Sequence, residues 1–408
     1  MKTRAYSFPE CAHEMLRRGY MDTFEQVRST ENRYQLNTYN KLPISIERGE
    51  GVWVYDSEGR KYLDLYGGHA VALTGHCHPA IVNAVKAQAE KLIFYSNVVY
   101  SSVRARAAKA IIEIAPRGMD KVFFCNSGAE ANETAMKIAR RYTGKRKIIA
   151  MKNGFHGRTA GALGATALGN YRAQFYPVLE DFIFADFGSI RSLEQSMNDD
   201  VAGVILEPIQ SMAGVEMADD EYYVELRNFC AKNGTVLVFD EVQTGFGRTG
   251  NWFFGDHFGV SPDIITLAKG IGGGIPVGGV IIKEEIAKTI GPGEHGSTFG
   301  GGPIASAAVE ANIGIIREEN LVHNARDTGE YLAARVADIP LVKRVRGRGL
   351  LVGIELDRDA AEVRDFLLAH GIITGTASLK NVLRLLPPIM VKKPEIDIFV
   401  EALGAFRS

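Results

Sequence analysis

The chain reads as an α/β protein with a mostly parallel central sheet, and three observations carry that reading. Short apolar runs alternate with helical patterns through the middle of the sequence, as strands joined by helical crossovers require. The 408 residues exceed one ordinary domain, and 46% hydrophobic with 23% charged residues suits a globular chain with a large core. Many of the 44 glycines fall at the ends of the apolar runs, where backbone packs closely around a ligand rather than forming linkers.

In chain order, 44–64 predicts a short hairpin with Asp56-Ser57-Glu58-Gly59 at its turn. Apolar runs then predict strands at Lys121–Cys125, Lys147–Met151, Phe182–Ala185, Val201–Leu206, 235–239, Ile264–Leu267 and 277–282. Helical patterns lie between several of them, at 127–142 and 221–232 for example. Two long helices follow, at 303–319 and Leu321–Ala337, then an apolar run at 349–356 and a closing α/β segment. No repeat or low-complexity stretch interrupts the pattern. The simplest organisation is a large domain over 61–310 and a smaller one built from both termini, 1–60 with 311–408.

The formal net charge of -1 gives no general attraction to nucleic acid or to an acidic membrane, and neither is expected as a partner. Cys11, Cys77, Cys125 and Cys230 are scattered without a CxxC, so neither a disulfide framework nor a zinc site is expected. His76-Cys77-His78 points its side chains in different directions and reads as a turn before a helix, with no metal. Residues 1–9 lack an apolar core of signal-peptide length, and no segment reaches transmembrane length; a cytoplasmic protein is expected.

The most conspicuous glycine motif, Gly245-Phe246-Gly247-Arg248-Thr249-Gly250, has the dinucleotide-binding spacing but the wrong surroundings. Asp240–Thr244 separate it from the strand, and no helix opens at its last glycine, so it reads as a loop. A P-loop fails because Arg146 follows Gly144-Lys145 and Ala139 stands where the first glycine is needed. A better phosphate cradle is Asn126-Ser127-Gly128-Ala129-Glu130. Ser127 caps the following helix, Glu130 completes a capping box, and Ala131, Ala135, Ile138 and Tyr142 share one helical face. An ordinary capped helix would look the same.

Asp240 and Glu241 end the 235–239 run, and a buried carboxylate needs a partner. Lys269 ends the Ile264–Leu267 run just before Gly270-Ile271-Gly272-Gly273-Gly274. Taken alone, such a lysine most often snorkels to solvent. An amine, a carboxylate and a helix N-terminus at one sheet edge suit pyridoxal 5'-phosphate, which needs a lysine for its aldehyde, an acid for its ring nitrogen and amides for its phosphate.

At these residues the chain resembles the class III aminotransferases, pyridoxal-phosphate enzymes of fold type I. The motifs are long: Phe123-Phe124-Cys125-Asn126-Ser127-Gly128-Ala129-Glu130-Ala131-Asn132-Glu133, Asn153-Gly154-Phe155-His156-Gly157-Arg158-Thr159, Glu207-Pro208-Ile209-Gln210, the run from Phe239 through Gly250, and Gly293-Glu294-His295-Gly296-Ser297-Thr298-Phe299-Gly300-Gly301. The resemblance implies that Lys269 is the Schiff-base lysine and later a proton shuttle. It also implies that Asp240 pairs with the ring nitrogen, Gln243 reaches the ring hydroxyl, and Ser127, Gly128 and Ala129 hold the phosphate. Phe155 would stack on the ring, with His156 and Glu207 close to the cofactor. Thr298 would reach the phosphate of a neighbouring subunit, which implies a homodimer with shared sites.

Within the class the chain is most similar to the acetylornithine and ornithine aminotransferases. The implied activity moves the terminal amino group of N-acetylornithine, or another N2-acylornithine, to 2-oxoglutarate. Ornithine δ-transamination or another ω-amino acid is the alternative, and a decarboxylase, an isomerase or a silent binding homologue stands further off. Arg158, whose planar fork suits a carboxylate, Arg384 and Tyr39 fall at substrate-side positions. Arg384 could equally be a structural ion pair. Two departures bear on specificity. Ser211-Met212 stands where the family usually has Gly-Glu, an acid that gates an active-site arginine in the ornithine enzymes. Arg384 is then free for carboxylates, or the pocket is more apolar. His69 stands where ornithine enzymes carry Tyr and acetylornithine enzymes often Ile, and a packed loop histidine is as good a reading. Gly302 replaces a usual Asn.

Overall fold

The computed structural model describes residues 23–406. The expectations for 1–9 and Cys11, and the ends of the small-domain assignment, lie outside the described residues. The first helix, α1 (Phe24–Tyr34), begins at a capping box on Thr23 and buries no residue. The 44–64 segment forms three strands, not one hairpin: β1 (Ile46–Glu50), β2 (Trp53–Asp56) and β3 (Lys61–Asp64). The extra reversal sits at Gly51, whose φ of 60° suits a residue without a Cβ. Helices α2 (Pro79–Lys91) and α3 (Ser102–Ile114) follow, and His78 accepts the Ala80 amide at the start of α2, as a turn before a helix requires.

The central sheet has seven strands: β4 (Lys121–Cys125), β5 (Lys147–Met151), β6 (Phe182–Ala185), β7 (Val201–Leu206), β8 (Val236–Asp240), β9 (Ile264–Leu267) and β10 (Gly278–Ile282). Their order is β4-β10-β9-β8-β7-β5-β6. Only β10 runs against the rest, antiparallel to both β4 and β9. Strands β7 to β10 are buried at every position, since both faces of the sheet are covered. Helices α4 (Gly128–Thr143) and α5 (Asp220–Lys232) contribute to those layers. On α4 the face of Ala131, Ala135 and Ile138 is buried, whereas Tyr142 is exposed. The consequence for function is geometric. The carboxyl ends of β4, β5, β7, β8 and β9 all lie on one edge of the sheet, where α/β proteins place their sites.

Helices α6 (Pro303–Glu318) and α7 (Leu321–Ala337) lead to a second antiparallel set. It comprises β11 (Val342–Arg348), β12 (Leu351–Leu356), β14 (Gly375–Thr376) and β15 (Val382–Leu385), in the order β11-β12-β15-β14. Helix α8 (Ala360–Ala369) precedes β13 (Ile372–Ile373), which pairs in parallel with β3, so early and late parts of the chain share one sheet. Helix α9 (Lys393–Ala405) closes the described residues.

The Gly245–Gly250 motif is the loop its surroundings predict, and its glycines serve packing. Gly247 lies against Val322 and Gly250 against Arg326, both on α7. The buried Arg248 between them donates to the carbonyls of Leu350 and Pro387, tying this loop to the second sheet. At the same junction a Cβ on Gly329 would stand 2.1 Å from the Gly349 carbonyl oxygen. Gly329→Ala should therefore lower stability by about 2–3 kcal/mol, as overpacking against backbone does. In urea unfolding, Gly314→Ala on the neighbouring helix is the control. A Cβ there meets nothing within 4 Å, and the change should be neutral or stabilising.

Candidate active site

Asp240 ends β8 and is buried. Its Oδ2 accepts from Asn132 Nδ2 at 2.7 Å and from His156 Nδ1 at 2.8 Å. Its Oδ1 takes the Val242 amide at 3.2 Å and keeps a lone pair for another N–H donor. Asn132 is itself fixed, since its Oδ1 accepts from Thr266 Oγ1 and its amide also donates to the His156 carbonyl, both at 2.7 Å. His156 is buried, and its Nε2 has no partner among the described residues.

Glu207 follows β7, is buried, and accepts the Phe155 amide at 2.8 Å. Burial, with Asp240 nearby, pushes its carboxyl up to about 7. The Phe155 ring meets Tyr171 edge-on at 5.5 Å, and the exposed Arg158 lies over the same Tyr171 at 4.7 Å.

Beyond β4, Ser127 Oγ accepts the Glu130 amide at 3.2 Å and so caps α4. The reciprocal half of the expected capping box is displaced by one residue. Glu130 accepts from the Asn126 amide at 3.1 Å and from Asn126 Nδ2 at 2.9 Å rather than from the Ser127 amide. The first-turn amides of Gly128 and Ala129 thus stay without intrahelical acceptors. A Cβ on Gly128 would come within 3.0 Å of Val242 and 3.6 Å of Ala268. That contact brings the helix end against the neighbours of both Asp240 and Lys269.

Lys269 opens the 3₁₀ turn Lys269–Gly272 with a φ of 49°, a left-handed conformation that costs a non-glycine residue about 1–2 kcal/mol. Asn312 of α6 holds the turn, donating to the Gly270 carbonyl at 2.8 Å and to that of Ile271 at 3.1 Å. Burial pushes the lysine amine down to about 8, against the opposing pull of Asp240 and Glu207, and Arg384 adds to the depression.

Arg384, on β15, is buried and forms no ion pair among the described residues. Its partners are hydroxyls: Tyr66 Oη at 2.7 Å and Ser211 Oγ at 3.1 Å. Ser211 in turn donates to Gln243 Oε1 at 3.0 Å. Tyr66 also meets His69 Nδ1 at 2.7 Å. Burial, then the charges of Arg384 and Lys269, push that imidazole down to about 3. Arg384, Met212 and Tyr171 line a cavity of about 420 Å³.

Two sequence-predicted residues stand apart. Tyr39 is exposed and lines a groove of about 690 Å³ with α1. Thr298 is exposed on the loop after β10. A larger cavity of about 1080 Å³, lined by Arg117, Asp120 and Lys283, lies at the opposite end of β9 and β10 from Lys269. Sequence reasoning missed Tyr66, Tyr171, Thr266 and Asn312 and gave Asn132 no role. A polar Asn132 between Ala131 and Ala135 on the buried face of α4 was the one available signal. No group of acidic, histidine or cysteine side chains suited to a metal occurs among the described residues.

The Lys269 amine fixes a pH dependence. Its folded-state value lies below the ordinary 10.5, so between about 8 and 10.5 the unfolded chain binds the extra proton and stability rises with pH. In ligand-free protein, trinitrobenzenesulfonate should modify Lys269 with a midpoint near pH 8. Glu207→Gln removes one of the two carboxylates favouring the charged amine and should lower that midpoint further; a higher one would contradict the arrangement.

The chain matches the family model described as Aminotransferase class-III over residues 34–406. It is 45% identical over 374 residues to the acetylornithine aminotransferase of Methanopyrus kandleri, covering 91% of this chain and 96% of that protein. It is 44% identical over 373 residues to that of Archaeoglobus fulgidus, covering 91% and 98%. Among solved structures, the ornithine aminotransferase of Toxoplasma gondii superposes with a TM-score of 0.90 at 30% identity, covering 99% of this chain and 98% of that one. The acetylornithine aminotransferase of Elizabethkingia anophelis superposes with a TM-score of 0.84 at 31% identity, covering 94% and 98%. The chain therefore belongs to the class III aminotransferases and is a pyridoxal-phosphate-dependent transaminase.

Proposed function

We propose that the enzyme transfers the terminal amino group of an N2-acylornithine, N-acetylornithine first, to 2-oxoglutarate, giving the semialdehyde and glutamate. One observation carries the reading: Lys269, Asp240 and the open end of α4 come together, and Arg384, which acts on the Lys269 amine and is joined to Gln243 through Ser211, borders a cavity whose Tyr171 ring also carries Arg158. Two cations suit a dicarboxylate acceptor, and the forked guanidinium of each suits a carboxylate. Identities of 42–45% to proteins called acetylornithine aminotransferases support the donor. The overlap with ornithine aminotransferases favours δ-transamination of free ornithine as the second reading.

The donor set fits pyridoxal phosphate. Asp240 Oδ1 keeps an open lone pair for a ring N–H, the amides of Gly128 and Ala129 with Ser127 face a phosphate position, and Lys269 offers an amine uncharged in part near neutrality. The cofactor supplies an aldehyde for amine exchange and a protonated ring that withdraws electrons. The protein's residues do the rest. Lys269 Nζ holds the cofactor and then carries the proton removed from the substrate's δ-carbon. His156 and Asn132 hold the Asp240 carboxylate that would pair with the ring nitrogen, Glu207 fixes the backbone of Phe155, whose ring would cover the cofactor, and Gln243 would meet the ring hydroxyl. Arg158 binds the donor carboxylate, Arg384 binds an acceptor carboxylate, and Tyr39, His69 and Met212 border the substrate. Among N-acetylornithine, N-succinylornithine, ornithine and 4-aminobutyrate, kcat/KM should be highest for an acylated ornithine. Lys269→Ala should lose at least a thousandfold in glutamate formation, as loss of a covalent catalyst does. Cofactor turnover without glutamate would instead favour the decarboxylase or isomerase reading.

The same reading makes the enzyme a cytoplasmic homodimer that needs neither nucleic acid nor membrane; no described helix is long and apolar enough to cross a bilayer. Ile93, Tyr95, Val98 and Tyr100 are exposed along one segment, as is Phe299, whose ring lies 5.1 Å from that of Phe94. Asn97 bonds the carbonyls of Ser297 and Gly300 at 3.0 Å, so this apolar surface includes the Thr298 loop. Sedimentation should give twice the 44.6 kDa chain mass. Val98→Glu should yield monomers with weakened cofactor binding.

A further inference from the structure

Arg384 is a buried cation with no counter-charge in ion-pair contact among the described residues. Its two amino groups rest on the Ser211 and Tyr66 hydroxyls, and its Nε has no partner among the described residues. Buried charges are ordinarily paired, because an unpaired one loses its solvation without compensation. The neighbouring Met212 cannot neutralise it, although it borders the same cavity. Apart from the Tyr66 ring face, 5.4 Å from the guanidinium carbon, compensation is left to an anionic ligand, and the Ser211 contact ties such an event to a second part of the site.

Ser211 is fully buried and stands between two groups with different chemistry. Arg384 can only donate, so Ser211 Oγ accepts from it at 3.1 Å, and the single hydroxyl proton is free for Gln243 Oε1 at 3.0 Å. With the opposite flip of Gln243, the hydroxyl would accept from both neighbours and its own proton would lack an acceptor. The serine therefore fixes the side-chain amide with its oxygen toward Ser211 and its NH₂ as the group left to donate elsewhere. A charged donor also polarises the hydroxyl it bonds, and in a dry site the effect passes along the chain.

We propose that Ser211 couples carboxylate binding at Arg384 to the cofactor side of the pocket, by orienting Gln243 and transmitting the neutralisation of the arginine to it. Ser211 is a positioning residue here, acting through Gln243 and Arg384. In a site with the usual Gly-Glu pair, a glycine has no hydroxyl to make this link, so the coupling belongs to the Ser211-Met212 departure. The inference rests on the reading above, in which Gln243 meets the ring hydroxyl of pyridoxal phosphate. While Arg384 is unneutralised, Gln243 NH₂ is the stronger donor and favours the deprotonated ring oxygen. A carboxylate on the guanidinium weakens that effect.

The test uses the holoenzyme and glutarate, a dicarboxylate without a transferable amine or a keto group. Titrating the cofactor absorbance against pH, saturating glutarate should raise the midpoint in the unsubstituted enzyme by about one pH unit, the size of one hydrogen bond. In Ser211→Ala the glutarate Kd should stay within about threefold, since Arg384 and Tyr66 remain, while the glutarate-induced shift should shrink to the part that the Arg384 charge exerts directly on Lys269. Ser211→Gly, the residue usual in the family, should behave as Ser211→Ala does and serves if the alanine variant does not fold. An equal glutarate-induced shift with and without Ser211 overturns the proposal, as does its absence in the unsubstituted enzyme. Failure of the underlying reading looks different: no cofactor absorbance, or no glutamate from any amine donor.

Discussion

Taking a lysine amine out of water disfavours its charged form, while nearby carboxylates favour it, and the site is organised around that opposition. Lys269 lies at the end of a fully buried strand, where desolvation lowers its amine to about 8 in spite of Asp240 and Glu207. With the carboxylates alone the amine would stay protonated and unreactive. With desolvation alone it would be neutral, but nothing would hold a cationic ring beside it. The seven-stranded sheet makes the compromise possible, since its strand ends deliver an amine, two acids and an open helix terminus to one edge from distant parts of the chain.

That arrangement needs support behind it, because buried carboxylates and a left-handed lysine are each costly. Asn132 and His156 both end on Asp240 Oδ2, and Thr266 locks Asn132 from the strand that leads to Lys269. One hydrogen-bonded chain thus fixes α4, β8 and β9 relative to each other. Asn312 fixes the Lys269 turn from α6, and Thr74 bonds Asn312 in turn at 2.8 Å. The reactive groups are set by secondary structure, and the precision comes from these polar side chains, of which the amides and hydroxyls add no charge that would compete with the site.

The strands were legible in the sequence because parallel strands covered on both faces are continuous apolar runs, and six of the seven expected strands begin or end where the structure has them. Glycine at strand ends and the Ser127 cap were legible for the same local reason. Long-range polar contacts were not. Asn132 and Asp240 are 108 positions apart and Arg384 and Tyr66 are 318, and no local pattern encodes those pairings. The extra strand at 46–50 was hidden because one glycine decides the reversal. Lys269 itself was ambiguous, since strand-end lysines usually reach water, and it became a candidate only through motifs elsewhere in the chain.

The same limit applies to substrate choice, and the energetics of Arg384 show why. From sequence it could be an ion pair, a carboxylate site or a cation in an apolar pocket. The structure removes the ion pair among the described residues and leaves a guanidinium bonded to two hydroxyls, with His69 held neutral by burial and by that same charge. Two hydroxyls orient an arginine without neutralising it. A basic group whose neighbours supply direction but no charge is preorganised for an anion, and its incomplete solvation in the free enzyme favours binding one. An acidic gate would lower that tension in the free enzyme and have to be displaced whenever a carboxylate arrives. With serine and methionine there instead, nothing negative has to move, and recognition of the carboxylate falls to a group already in place.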